Sequence, residues 1–204
     1  GVSDVLTAGS VSDDGSFCLT SAAREVVRER GAGIRSLSVE TPKGDLTCVI
    51  RDTVPGRPYI GAWTVKPYLE DEGDIEKLTS IPYVPPTLDA QPFLERVKHI
   101  GERGLVYSGI GDPIGILSSL FSLETFLIFC MREADRLKEL LDALLIRILD
   151  RVERCSALGV GPFYELSGPE MVCPTFLPPR YFDEFVVRYD KPIVKSIDAN
   201  GGVA

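Results

Sequence analysis

An α/β fold with parallel strands is what this 204-residue sequence predicts, and three observations predict it. Between residues 132 and 165 a long amphipathic helix is followed by Gly159 and a short apolar segment, which together make one αβ unit. Neighbouring segments repeat that form, so the second half reads strand, helix, helix, strand, helix, strand. Alternation of this kind implies crossover connections and a sheet covered by helices. Ahead of it, two alternating runs around Thr41-Pro-Lys-Gly44 mark a β-hairpin. The chain divides accordingly into an irregular leader over 1–19, a helix-plus-hairpin region with a proline-rich connector over 20–88, and β/α repeats over 89–204.

The leader is rich in Gly, Ser and Asp, with Val2, Val5, Leu6 and Val11 as apolar anchors, and reads as a lead-in without regular structure. Thr20 or Ser21 caps a short helix to about residue 30, ended by Gly31-Ala-Gly33. Leu37 and Val39 alternate with polar residues, and Leu46, Cys48 and Ile50 do so again after the turn. Residues 60–65 suit a further strand, since Trp63, Thr64 and Val65 favour a sheet. Residues 71–78 make a turn or two of helix, and 81–86, with three prolines, form a stiff connector.

Asp89 and Pro92 open a helix that Gly104 stops, and residues 105–110 form a strand. Residues 114–131 are an apolar helical region. In the long helix that follows, Leu137, Leu141, Leu144, Ile148, Val152 and Cys155 recur at three- and four-residue steps, widened by Leu140, Leu145 and Leu149. A buried strand over 160–166, a proline-rich loop over 168–179, a helix over 180–189 and a strand over 192–197 complete the reading. Two architectures satisfy it, an open doubly wound sheet and part of a (β/α)₈ barrel. A whole barrel takes about 250 residues, more than this chain offers beside the hairpin region.

Apolar residues at 44% and charged residues at 25% are ordinary for a globular domain, whereas a net charge of −8 with no basic run argues against nucleic acid or an anionic membrane surface as partner. The longest apolar stretch, 114–131, is broken by Ser118, Ser119, Ser122 and Glu124, too polar to cross a bilayer. No signal-peptide pattern opens the sequence, and a cytoplasmic protein is the expectation. The five cysteines are scattered without a C-x-x-C pair, against a disulfide framework or zinc knuckle. The one histidine, His99, falls inside a predicted helix, so histidine acid/base chemistry has no support.

Ligands of parallel α/β sheets bind beyond the carboxyl ends of the strands. That rule selects Asp112 after the first strand of the repeat region, Tyr164 and Glu165 with Glu170 after the second, and Asp198 with Asn200 after the third. Carboxylates converging from three strands could act as general acid or base, hold a cationic group, or bind a divalent metal, although no His/Cys motif backs a metal. Each taken singly also reads as a helix cap or a solvated side chain. Asp112-Pro113 in particular is a ready N-cap with proline at the first helical position, and Tyr164 could be a core aromatic.

Several runs carry a resemblance. Gly109-Ile-Gly-Asp-Pro-Ile-Gly-Ile116, the leucine-rich helix with Ala157-Leu-Gly159, Ser167-Gly-Pro-Glu-Met171, Pro178-Pro-Arg-Tyr-Phe-Asp-Glu-Phe185 and Asp198-Ala-Asn-Gly-Gly202 together resemble the uroporphyrinogen decarboxylase family, whose superfamily includes cobalamin-dependent methyltransferases. Thr41-Pro-Lys-Gly-Asp45 and the acidic run after Tyr68 resemble segments of its less-characterised members. The resemblance implies a partial (β/α)₈ barrel with an N-terminal β-hairpin region, and a small-molecule substrate such as a tetrapyrrole. It further implies decarboxylation without a cofactor, with a carboxylate stabilising a protonated pyrrole intermediate. Asp198, Glu165 and Asp112 become the expected catalytic residues, and Tyr164, Glu170, Ser119 and Asn200 the expected substrate contacts, Ser119 standing where the family places a tyrosine. An open barrel edge would be covered by a second copy of the chain.

The departures are specific. Nothing resembles the family's arginine-rich N-terminal segment, and where its zinc-dependent methyltransferases carry H-x-C this sequence reads Asp198-Ala-Asn200, an oxygen-only set. A corrinoid-linked methyltransferase relative and a non-catalytic barrel fragment acting as a binding module are the alternatives.

Overall fold

The structure is a computed structural model that describes residues 5–13, 16–31, 33–53 and 61–204. In chain order the strands are β1 (Val5–Gly9), β2 (Ser12–Asp13), β3 (Glu25–Gly31), β4 (Ile34–Val39), β5 (Leu46–Arg51), β6 (Trp63–Lys66), β7 (Leu88–Asp89), β8 (Gly104–Gly111) and β9 (Phe163–Ser167). The helices are α1 (Glu72–Thr79), α2 (Gln91–Ile100), α3 (Pro113–Ser118), α4 (Leu123–Arg132), α5 (Ala134–Ala157), α6 (Pro179–Phe182) and α7 (Arg188–Ala199). A π-helical turn, Asp183–Val187, joins the last two.

Three strands form a parallel sheet in the order β1-β8-β9, with Leu6 opposite Leu105 and the row Ala8, Tyr107, Phe163 running across it. The connection from β8 to β9 is helical, α3 to α5, as parallel pairing demands. The connection from β1 to β8 carries an inserted antiparallel meander, β3-β4-β5-β6, and the small pair β2-β7. The fold is therefore mixed α/β, and its sheets do not close into a barrel.

Helix α5 organises the packing. Strong helix formers fill it, and the six residues of its predicted stripe and Leu140 are buried, with Leu145 and Leu149 partly so. Leu137, Leu141 and Leu144 enter a core shared with Leu37, Val39 and Leu46 of the meander, while Ile148, Val152 and Cys155 enter a second core with Val106, Ile110 and Tyr164 of the parallel sheet. Each leucine so buried contributes roughly 1.5–3 kcal/mol relative to an exposed one. One helix thus fixes the meander against the parallel sheet, which sets the geometry of everything between them.

Three elements depart from the sequence reading. The expected helix from Thr20 to residue 30 is strand β3, because Val26 and Val27 suit extended backbone and β4 offers a partner along its length. Thr20 is fully buried and accepts from Val84 N–H at 2.9 Å, so it anchors a loop instead of capping a helix. The leader contains β1, an edge strand of the parallel sheet whose partner lies far along the chain; Val2 lies outside the described residues. The strand expected over 192–197 lies inside α7: Tyr189, Ile193 and Ile197 recur every four residues and are buried on one helical face. The chain regains the sheet later, where Val203 pairs in parallel with Phe163. Residue 60 of the expected strand 60–65 lies outside the described residues, and Trp63–Lys66 is strand as expected.

Candidate functional site

The carboxyl ends of β8 and β9 meet at Asp112. Its backbone N–H donates to Ser167 O at 3.0 Å, and its Oδ1 accepts from Gly115 N–H at 2.6 Å as the N-cap of α3. The residue is 1% exposed. Burial, reinforced by the charges of Asp190 and Glu170 and opposed by the Gly115 hydrogen bond, pushes its carboxyl up to about 7. Gly115 and Gly168 close over it: a Cβ on Gly115 would stand 2.5 Å from Gly168 Cα, so neither position admits a side chain.

The rim of converging carboxylates is only partly present. Glu165 does lie on β9, opposite Gly109, but its side chain is exposed on the uncovered face of the sheet, away from Asp112. Asp198 and Asn200 do not follow a strand. They sit exposed at the end of α7, where Asn200 donates to Ser196 O at 2.8 Å, so the expected third carboxylate is absent from the rim because its segment is helical. Tyr164 is buried and its hydroxyl donates to Val160 O at 2.7 Å, a core aromatic with its one donor already used. Asp190, which no strand-end rule selects, replaces Asp198 as the second carboxyl acting on Asp112; its helical spacing from Ile193 and Ile197 was the signal that could have placed it.

Ser119 and Glu170 do come together. With Gly115, Gly168 and Met171 they line a cleft of about 330 Å³ beside α3. Ser119, the residue after α3, donates to Ile116 O and also borders a second cleft of about 400 Å³. One wall of that second cleft is Ser16, Phe17 and Cys18 from the segment between β2 and β3, with Ile116 and Ser119 after β8. The other is one face of the meander, including Glu25, Arg35 and Cys48, with Tyr68 from the segment after β6. It therefore lies at the carboxyl edge of the parallel sheet with the meander as its cover, the place the strand-end rule indicates.

This second cleft is chemically mixed. Tyr68, 5% exposed, donates its hydroxyl to Glu25 Oε2 at 2.6 Å, and burial followed by that bond raises the tyrosine well above its ordinary range. Arg35 Nε donates to Asp52 Oδ1 at 2.5 Å, leaving the guanidinium partly exposed. Burial pushes the Cys18 thiol up to about 12 and raises that of Cys48, which keeps both as neutral thiols at pH 7. Cys18 and Leu19 both hold left-handed backbone, φ 49° and 62°, and Arg147 pins the turn by donating to Cys18 O at 2.8 Å. Glu25 escaped the sequence reading because its segment was read as helix. Arg35 escaped because nothing in an alternating strand singles it out.

His99 is exposed on α2. Among the described residues no three His, Cys, Asp or Glu side chains stand close enough together to hold a metal ion, and no helix is long and apolar enough to cross a membrane. Comparison of the chain with protein-family models, with characterised proteins and with solved structures finds no match.

Proposed function

We propose that this chain is part of an enzyme of the uroporphyrinogen decarboxylase kind, acting on a small carboxylic acid in the 400 Å³ cleft between the parallel sheet and the meander. One observation carries the reading. Two stretches that resemble the family, far apart in sequence, reach this cleft: Ile116, at the end of the 109–116 run, lies on one wall, and Tyr68, at the head of the acidic run 68–72, lies on the other. A resemblance built on short runs gains weight when two of those runs each place a residue on one cleft.

The chemistry available fits. Arg35 supplies a cation for a substrate carboxylate. Decarboxylation breaks a carbon–carbon bond, releases carbon dioxide and leaves the electron pair on the substrate carbon, which then takes a proton. The Tyr68–Glu25 pair can hold that proton in a partly desolvated site, and the Glu25 carboxylate can stabilise positive charge on a protonated pyrrole. No step needs a cofactor. The volume is that of an ordinary small-molecule pocket.

The partial-barrel reading belongs to the same proposal. Helices cover one face of the β1-β8-β9 sheet, while Leu6 and Leu105 on the other are 72% and 48% exposed. In a barrel that face would be interior, and in this chain a second copy would supply cover.

Release of carbon dioxide from uroporphyrinogen and from smaller pyrrole carboxylic acids tests the function. Turnover that falls by about 100-fold in Glu25→Gln, the usual scale for a lost acid–base group, supports it. Absence of both turnover and saturable binding across that panel sinks it.

A further inference from the structure

Of the five cations on helix α5, four are paired: Arg136 with Glu139, Lys138 with Glu184, Arg151 with Asp13 and Arg154 with Asp150. Among the described residues the fifth, Arg147, makes no ion pair. Its Nη1 donates to Cys18 O at 2.8 Å and its Nη2 to Ile81 O at 3.5 Å, so two of its five N–H groups are used and three are not. Burial pulls the guanidinium below its usual value, opposed by Cys18 and Tyr83. Both of those groups are pushed up to about 12, so neither carries charge at pH 7. A guanidinium drawn out of water without a counter-charge is costly, and an anion relieves it.

Arg147 lines a cavity of about 110 Å³ between α1, α5 and the segment that ends α3. Five buried leucines wall it, and the exposed residues Glu139 and Ala143 mark its mouth. Cys18 lines it as well, so the 2.8 Å contact sets the guanidinium at the Cys18 end. The charge of Glu139 is answered by Arg136 at 2.6 Å and does not bar an anion. We propose that this cavity binds a short aliphatic carboxylate, its carboxylate on Arg147 and its tail among the leucines. A carboxylate matches the planar fork of the guanidinium, whereas an inorganic anion would leave the leucines unused. A cavity of about 150 Å³ admits benzene, so 110 Å³ takes a tail of about three or four carbons.

The cavity is separate from the 400 Å³ cleft but shares a wall with it, since Cys18 and Leu120 line both. That wall includes the left-handed turn at Cys18 and Leu19, whose carbonyl Arg147 holds. An occupant that takes up the remaining N–H groups fixes the guanidinium, and the turn with it. Binding here does not depend on what reacts in the larger cleft.

Titration of butyrate into the wild-type chain at pH 7 and constant ionic strength, followed by leucine-methyl and arginine Nε–H NMR, tests it. Saturable shifts are expected at Leu117, Leu140, Leu144 and Arg147. Affinity should rise about fourfold with each methylene from acetate to pentanoate, the value of a buried methylene, and stop rising by heptanoate. Butanamide, the uncharged counterpart, should bind at least about tenfold more weakly, the scale of one charge-assisted hydrogen bond. Butyrate should lose as much on Arg147→Gln, in which the shorter side chain can still donate to Cys18 O. Ala143→Phe, at the exposed mouth, should block the cavity and abolish the shifts while circular dichroism stays the same. Shifts that do not saturate, equal binding of butyrate and butanamide, or undiminished binding by either variant overturns the proposal. If Arg147→Gln fails to fold, Ala143→Phe and the butanamide comparison decide it.

Discussion

Tyr68 and Glu25, 43 positions apart, are joined by a 2.6 Å hydrogen bond that ties the first strand of the meander to the segment leaving its last. The bond closes one side of the 400 Å³ cleft, and Phe17 stacks edge-on against the same tyrosine at 5.2 Å. A single side chain therefore links the segment between β2 and β3 to both ends of the inserted sheet.

Tyr68→Phe keeps the ring and its packing but removes the donor. The loss of one charge-assisted hydrogen bond should lower stability by about 1.5–3 kcal/mol. Urea denaturation checks this. If the cleft is the site of decarboxylation, the same variant lowers turnover more than Glu40→Gln, which changes a carboxylate on the exposed end of the meander. Equal effects from the two would remove the tyrosine from the mechanism.

Gly168 and Gly44 separate crowding from strain. Both have positive φ, 136° and 112°, but a Cβ on Gly168 would meet Asp112 Oδ1 at 2.4 Å and Gly115 Cα at 2.7 Å, whereas one on Gly44 meets nothing within 4 Å. Gly44→Ala should therefore cost about 1 kcal/mol of backbone strain. Gly168→Ala should cost clearly more, on the order of 3 kcal/mol, because backbone must move. Similar midpoints for the two in denaturant would mean that the turn after β9 yields easily.

How much of this was legible in the sequence depends on where the deciding contacts lie. The stripe of α5 and the hairpin of β4 and β5 are local patterns, and both formed as read. Strand β1 was opaque because its five residues are specified by pairing with β8, across the whole inserted meander. The segment 192–197 misled because β-branched residues follow a proline, while the period of four that makes it a helix includes Tyr189, outside the apparent strand. The site shows the same division. Asp112 was found because an Asp-Pro cap at a strand end is a local signal, and Asp190 was missed because its role exists only through packing.

Asp198 gives the sharpest contrast between the two views. Sequence spacing put it at a strand end with Asp112, yet it is exposed on α7, one residue from the helix end. Asp198→Ala should leave both Tm and any turnover unchanged, within the roughly 0.5 kcal/mol typical of surface substitutions. A tenfold loss of turnover with intact stability would restore it to the site and displace the meander cleft.

The uncovered face of the parallel sheet makes the last prediction. Parallel strands are ordinarily covered on both faces, and here Leu6 pairs directly with Leu105 to leave two adjacent leucines facing solvent. Apolar surface of this kind drives association. The folded chain should accordingly self-associate as its concentration rises in sedimentation equilibrium, and Leu6→Glu should abolish that association while the far-ultraviolet circular dichroism stays the same. Leucine 105 is the internal check, since it is flanked by β1 and lies nearer the middle of the face: Leu105→Glu should act in the same direction and lower stability as well. A wild-type chain that remains monomeric at every concentration reached would show that the face is stable in water, and the second copy would drop out of the proposal.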